Sequence, residues 1–187
     1  MNKENEGNPD GSDIIKLLRN KATKERGFAL LVSVYQEQLY WHVRKMVVSH
    51  DDAKDVLQET FLRSWRNIDQ LQDPFKLLSW LYRIASNETF RFLEKKKRQN
   101  NGFVDFEEVL LNQLKSEPWI DQEEVLLKFQ RSILTLPVKQ RMAFNLRYFE
   151  EMTYEQIADI MQTSAASVKV SYHYAKRKVE AILKIAD

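Results

Sequence analysis

The chain has 187 residues, a net charge of only +2 and 43% apolar residues, so its length suits one ordinary domain or two small helical ones with packed cores. Four glycines and four prolines are too few for the many turns of a sandwich or barrel, which points to long helices. With no cysteine, a disulfide scaffold, a thiolate metal site and a cysteine nucleophile are excluded, and the composition suits a reducing cytoplasm.

Residues 1–12 are polar, rich in Asn, Asp, Gly and Glu, and are expected to form a disordered tail. They lack the apolar stretch of a signal peptide, and no later run reaches membrane-spanning length, so the cytoplasm is the expected location. A first helical domain is predicted over residues 13–98. Within it, Phe28, Leu31, Val34, Tyr35, Leu39 and Val43 recur at three- and four-residue steps and predict a helix over 27–48. Ser49 followed by Asp52 signals the start of a second helix, over 51–67. Its inward face carries Ala53, Val56, Leu57, Thr60 and Phe61. Its outward face shows Asp52, Asp55, Gln58, Glu59 and Leu62. Acidic residues there stabilise the helix dipole, but an apolar Leu62 among them also fits a docking surface.

A loop at 69–76 holds Asp69, Gln72, Phe75 and Lys76, and a third helix is predicted from 77 to 97. Leu77, Leu81, Ile84 and Ala85 share one side of it, whereas Lys76, Trp80, Arg83, Asn87 and Arg91 share another. The helix ends in Lys95, Lys96, Lys97 and Arg98, more positive charge than a helix C-terminus needs, and with the Arg83–Arg91 stripe it resembles a phosphate-tracking surface. Trp80 reads either as core or as a platform for an unpaired base.

Charge then reverses. Residues 1–98 carry 18 basic and 14 acidic side chains, residues 99–123 one and six, and residues 124–187 ten and seven. Segment 99–123, with Asn100, Asn101, Gly102 and Pro118, reads as a flexible acidic linker, although its apolar residues imply some packing. A second helical domain is predicted over 124–187. Pro137 opens a helix, Thr153 and Gln156 form a capping box for the next, and Ser164 caps the last. This is a helix-turn-helix whose final helix exposes Ala166, Ser167, Lys169, Val170, His173, Tyr174 and Arg177. Between Ser164 and Lys178 there are four Lys or Arg residues and no acid. The fold class is therefore all-α, two small helical domains joined by the linker.

Several motifs in order resemble one family, the bacterial RNA polymerase sigma factors. Asp52-Ala53-Lys54-Asp55-Val56-Leu57-Gln58-Glu59-Thr60-Phe61 resembles the acidic signature of their second region. Ser79-Trp80-Leu81-Tyr82-Arg83-Ile84-Ala85-Ser86-Asn87 resembles the stretch after it. Leu136-Pro137 and Leu146 through Ala158 resemble the opening of the fourth region. The short chain lacks the first and third regions, as in the extracytoplasmic-function (ECF) group. The resemblance implies a factor that brings core polymerase to promoters, helps open the duplex and serves a stress- or signal-responsive gene set. It implies core-polymerase contacts at Asp52, Asp55, Gln58, Glu59 and Leu62. It implies minus-ten contacts at Asp69, Gln72, Phe75, Lys76, Trp80, Arg83, Asn87, Arg91 and Lys95, with a flipped base held by the loop. Minus-thirty-five contacts fall to Arg147, Ser164, Ala166, Ser167, Lys169, Val170, His173, Tyr174 and Arg177. An anti-sigma factor, often membrane-anchored in the family, is an expected partner, and the chain is expected to be a monomer.

The chain departs from the family at Thr89-Phe90-Arg91-Phe92, where an Asp and an Arg pair are common, and at Ala166 and Ser171, where Gly and Arg are common. The competing reading is an ordinary helix-turn-helix regulator that binds a palindrome as a dimer. An enzyme is disfavoured: His42, His50 and His173 are scattered, no nucleophile motif or phosphate loop occurs, and neither metal nor cofactor is expected.

Overall fold

A computed structural model describes residues 11–71, 73–99, 106–115 and 124–184. Among them regular structure is entirely helical. The first domain comprises α1 (Gly11–Arg19), α2 (Lys24–Val47), α3 (His50–Asn67) and α4 (Leu77–Gln99), with two short 3-10 turns, Ile68–Gln70 and Pro74–Lys76, between α3 and α4. The segment read as a linker contains α5 (Phe106–Lys115). The second domain comprises α6 (Glu124–Leu134), α7 (Val138–Tyr148), α8 (Tyr154–Met161) and α9 (Ala165–Lys184).

Local chemistry explains most boundaries. The Ser49 hydroxyl accepts from the Asp52 backbone N–H at 3.4 Å and starts α3. Thr153 and Gln156 make a reciprocal capping box on α8, with bonds of 3.2 and 2.8 Å. Ser164 accepts from the Ser167 N–H at 3.1 Å at the start of α9. Pro137 is the N-cap of α7, one position before the helical residue expected of it.

Two expectations are revised. The first helix begins at Gly11, inside the stretch read as tail, because Ile14, Ile15 and Leu18 bury fully against α2. Residues 1–10 lie outside the described residues. The stretch read as irregular linker is helical over Phe106–Lys115, because Leu110 and Leu114 pack with Leu134 and Val48. Residues 100–105 and 116–123 also lie outside the described residues. Val48 ends α2 at φ 68° and ψ −49°, a γ-turn closed by the Ser49 N–H donating to the Val47 carbonyl at 2.9 Å and costly for a β-branched side chain. Its burial in the α5 cluster offsets that cost.

The domains share one apolar core. Leu81 and Ala85 of α4 and Val43, Met46 and Val47 of α2 belong to the same buried cluster as Met142, Ala143 and Leu146 of α7 and Ile157 and Ile160 of α8. Each buried Val, Leu, Ile or Met among them contributes roughly 1.5–3 kcal/mol relative to exposure. A separate cluster of Ile133, Leu136, Phe144, Ala175 and Val179 holds α6, α7 and α9 together. Within it Phe144 stacks on Tyr148 and Tyr172, with centroids 5.2 and 5.8 Å apart.

Candidate nucleic-acid and partner interfaces

Helix α3 faces solvent along Asp55, Gln58 and Leu62, and Leu62 is 41% exposed. Asp52 and Glu59 are half-buried. Asp52 pairs with Lys96, which ties the start of α3 to the basic end of α4. Glu59 lies 3.3 Å from Arg63 one turn on. The surface is thus acidic, with one apolar residue, and partly engaged from within.

The loop before α4 presents Phe75 at 88% exposure, and the Asp73 carboxylate accepts from the Phe75 N–H at 3.0 Å to fix the turn. Asp69 lies 3.8 Å from Lys24 and is exposed, as is Lys76. Gln72 lies outside the described residues. Asn87, Arg91 and Lys95 are exposed on α4, and Arg83 is half-buried. Trp80, for which the sequence leaves two readings open, is 6% exposed.

A cleft lined by Gln70, Asp73, Lys76, Trp80 and Arg83 is also lined by Asp159 of α8. A second, more polar cleft, bordered by Asn67, Arg83, Asn87 and Arg91, receives Gln162 from the turn of the helix-turn-helix. Gln162 has φ 51° and caps α8. An acid and an amide of the second domain therefore sit beside the basic residues of α4.

A polar contact pins this arrangement. Glu150, just beyond α7, accepts the Tyr82 hydroxyl at 2.6 Å through Oε2 and faces Lys45 at 3.2 Å through Oε1. Its side chain is 10% exposed. His42 lies beside them, fully buried, with Nε2 3.1 Å from Ser86 Oγ and its ring 4.9 Å from that of Tyr82. Burial lowers His42 to about 4, with Glu150 opposing the shift and Lys45 adding to it. Burial, then the Glu150 hydrogen bond, pushes the Tyr82 phenol well above its ordinary range. Ser86 Oγ lies 3.5 Å from Met142 Sδ, and Asn145 donates to Met46 Sδ at 3.3 Å.

The far side of the second domain differs. Ser164, Ala166, Ser167, Lys169, Val170, His173, Tyr174 and Arg177 all face outward. Val170 and Tyr174 are 54% and 59% exposed. Arg147 is engaged from within: it donates to the Met152 carbonyl at 2.8 Å and lies over the Tyr154 ring, holding the loop between α7 and α8. Among the described residues no cluster of His, Asp and Glu could hold a metal ion.

Sequence reasoning missed Tyr82, Glu150, Asp159 and Gln162. Tyr82 and Glu150 stand out in the sequence only as motif positions, and nothing local marks them, since their contact spans 68 residues. It also missed Glu88, although an acid three residues before Arg91 in a basic helix is a visible pairing signal.

Known proteins show the same two units. Residues 31–99 match the family model for sigma-70 region 2, and residues 126–179 match that for sigma-70 region 4. The chain belongs to the sigma-70 family, in its ECF group. The ECF sigma factor SigW of Bacillus subtilis is 27% identical over 173 residues, covering 88% of this chain and 92% of that one. The ECF sigma-E factor of Escherichia coli is 29% identical over 178 residues, covering 90% and 93%. The solved structure of CnrH with the cytosolic domain of CnrY has the same fold, with a TM-score of 0.64 at 19% identity over 95% of this chain and 96% of that one. The sigma factor RpoE of Bartonella quintana, solved with the anti-sigma factor NepR, matches with a TM-score of 0.65 at 19% identity, covering 86% and 98%. As an ECF sigma factor the chain directs RNA polymerase to promoters for transcription initiation, and it is not an enzyme.

Proposed function

We propose that this sigma factor works through three surfaces, and that two of them are ready before polymerase binds whereas the third is not. The acidic face of α3, with Asp52, Asp55, Gln58, Glu59 and Leu62, docks on core polymerase, Leu62 supplying an apolar anchor within a charged rim. The first domain, residues 13–98, opens and reads the minus-ten element. Phe75 at the loop tip and Trp80 flank an unstacked base, Asp69, Gln72 and Lys76 complete its pocket, and Arg83, Asn87, Arg91 and Lys95 track the strand. Unstacking one base costs a few kcal/mol, which these contacts offset. The second domain, residues 124–187, reads the minus-thirty-five element through Ser164, Ala166, Ser167, Lys169, Val170, His173, Tyr174 and Arg177. Lys169 and Ser167 hydrogen-bond base edges and Val170 meets a thymine methyl. Arg147 supports this surface through the α7–α8 loop.

The observation that carries the reading is the outward face of α9 over residues 164–178, which holds no acid, on a capped helix-turn-helix. Segment 99–123 joins the domains and lets them part. Core polymerase binding separates α8 from α4 and uncovers Trp80 and Arg83. An anti-sigma factor holding the closed arrangement would keep the chain off promoters. Two structural neighbours were solved with such partners, CnrY and NepR. The chain acts as a monomer, in the cytoplasm, on a signal-responsive gene set; among the described residues no helix is long and apolar enough to cross a membrane. Run-off transcription with purified core polymerase and genomic fragments tests the reading. Promoter-specific transcripts that need this chain are expected. Their absence on every fragment contradicts it, and tight binding of a palindrome by the chain alone favours a dimeric regulator.

A further inference from the structure

We infer that Glu88 is a positioning residue for Arg91, and that Glu59, Arg63, Glu88 and Arg91 form a charge chain from the polymerase-docking face of α3 to the DNA face of α4. This rests on the roles proposed above for Glu59 and Arg91. The Glu88 side chain is only 7% exposed, and its Oε1 atom serves two cations. It accepts a hydrogen bond from Arg91 at 2.7 Å and lies 2.7 Å from Arg63 Nε. Arg63 Nε is in turn 3.3 Å from Glu59 Oε1. Glu88, Arg63 and Arg91 line both the cleft beside Asp55 and Glu59 and the cleft beside Arg83 and Asn87, so the chain of charges connects the two faces.

Two guanidinium groups therefore share one buried carboxylate oxygen, and one of them has a second carboxylate in reach. A buried charge must keep a partner, so Glu88 draws on whichever cation is free. In the chain alone, Arg63 is divided between Glu59 and Glu88, and Glu88 holds Arg91 down along α4. When a cationic group of a partner captures Glu59, Arg63 turns wholly to Glu88. Less negative charge then faces Arg91, the most exposed of the four at 60%, and it is released to a phosphate. Glu88 thus lowers the affinity of α4 for any DNA until polymerase is docked, and directs Arg91 afterwards.

The test compares the full chain alone with holoenzyme assembled at saturating core polymerase, each binding a promoter duplex and a non-promoter duplex across a salt series. Glu88→Gln is expected to free Arg91 permanently. Non-promoter binding by the chain alone should tighten about fivefold at physiological salt and its log–log salt slope should steepen by about one, the signature of one added phosphate contact. Holoenzyme, in which Glu59 is already engaged, should keep its slope and its ratio of promoter to non-promoter affinity. In an Arg91→Ala background Glu88→Gln should change neither slope nor affinity in the chain alone, and Glu59→Gln should add nothing to Glu88→Gln. A lowered melting temperature with an unmoved salt slope would reduce Glu88 to a structural role and overturn the inference. So would the same shift with Arg91→Ala present, or additive effects of Glu59→Gln and Glu88→Gln. If Arg91→Ala alone leaves promoter binding unchanged, it is the assignment of α4 to DNA that fails, a distinct result.

Discussion

On α9, Lys169, Val170, His173 and Tyr174 stand in solvent; on α4, Trp80 and Arg83 lie in a cleft that Asp159 of the other domain also lines. Both helices are basic, both carry aromatic residues, and both are assigned to DNA. Duplex anchoring by α9 needs only an open major-groove surface. The strand opening proposed for α4 requires an aromatic and a row of cations that, left bare, would bind single strands without regard to sequence. On the proposed reading, Asp159 and Gln162 beside that surface restrict it until polymerase parts the domains. The closed state is held by an apolar core and one polar knot around Glu150.

The largest expected effect comes from untying that knot. Glu150→Ala removes the shared partner of Tyr82 and Lys45 and leaves a half-buried cation behind. Breaking such a pair costs about 3 kcal/mol, here drawn from the closed arrangement. Binding of a fluorescent minus-ten single strand by the chain without polymerase should rise at least tenfold, while binding of a minus-thirty-five duplex stays level. Equal change at both probes would mean that the two surfaces do not differ in access.

A pH series should give a somewhat smaller effect. His42 is fully buried, faces Glu150, Lys45 and Tyr82, and is lowered from 6.5 to about 4. A lowered pKa means that the closed form binds fewer protons than the open or unfolded one. Its stability is therefore complete above pH 6.5 and is lost as the pH falls from 6.5 towards 4. At pH 5 the loss is on the order of 2 kcal/mol. Opening followed by limited proteolysis should accelerate over that interval, and His42→Gln should flatten the profile. An unchanged profile in the variant would move the sensitivity elsewhere.

The smallest effect belongs to the surface that is already open. Lys169→Ala should weaken promoter recognition by about 1 kcal/mol, the low end for a base contact because a lysine binds one atom at a time. Binding-site selection should show relaxed preference at one upstream position. Preserved preference would remove Lys169 from the reading face.

What the sequence disclosed and what it hid divide along the same line. The Ser49, Thr153–Gln156 and Ser164 caps are signals within three residues, and each helix start they mark is present. The exposed face of α9 follows from helical spacing on a short local element. The cover over α4 is not local: Lys45 meets Glu150 across 105 residues, and Met142 and Asn145 look like core of their own domain until the other domain arrives. Trp80 is ambiguous in the sequence for that reason, since spacing cannot say which neighbour buries it. In the joining segment, acidic residues and a Gly obscure the stripe of Leu110, Leu111 and Leu114 that makes α5 a packed helix. Glu88 is visible from its spacing to Arg91, but its link to Arg63 requires α3 beside α4.

The most direct test measures the separation of the domains. The chain contains no cysteine, so Arg26→Cys and Glu180→Cys provide two labelling sites on exposed positions of α2 and α9. Single-molecule energy transfer between dyes at these sites should show one high-efficiency population in the free chain and a low-efficiency population once core polymerase is added. Low efficiency in the free chain, or an efficiency that core polymerase does not change, would contradict the claim that polymerase uncovers the minus-ten surface.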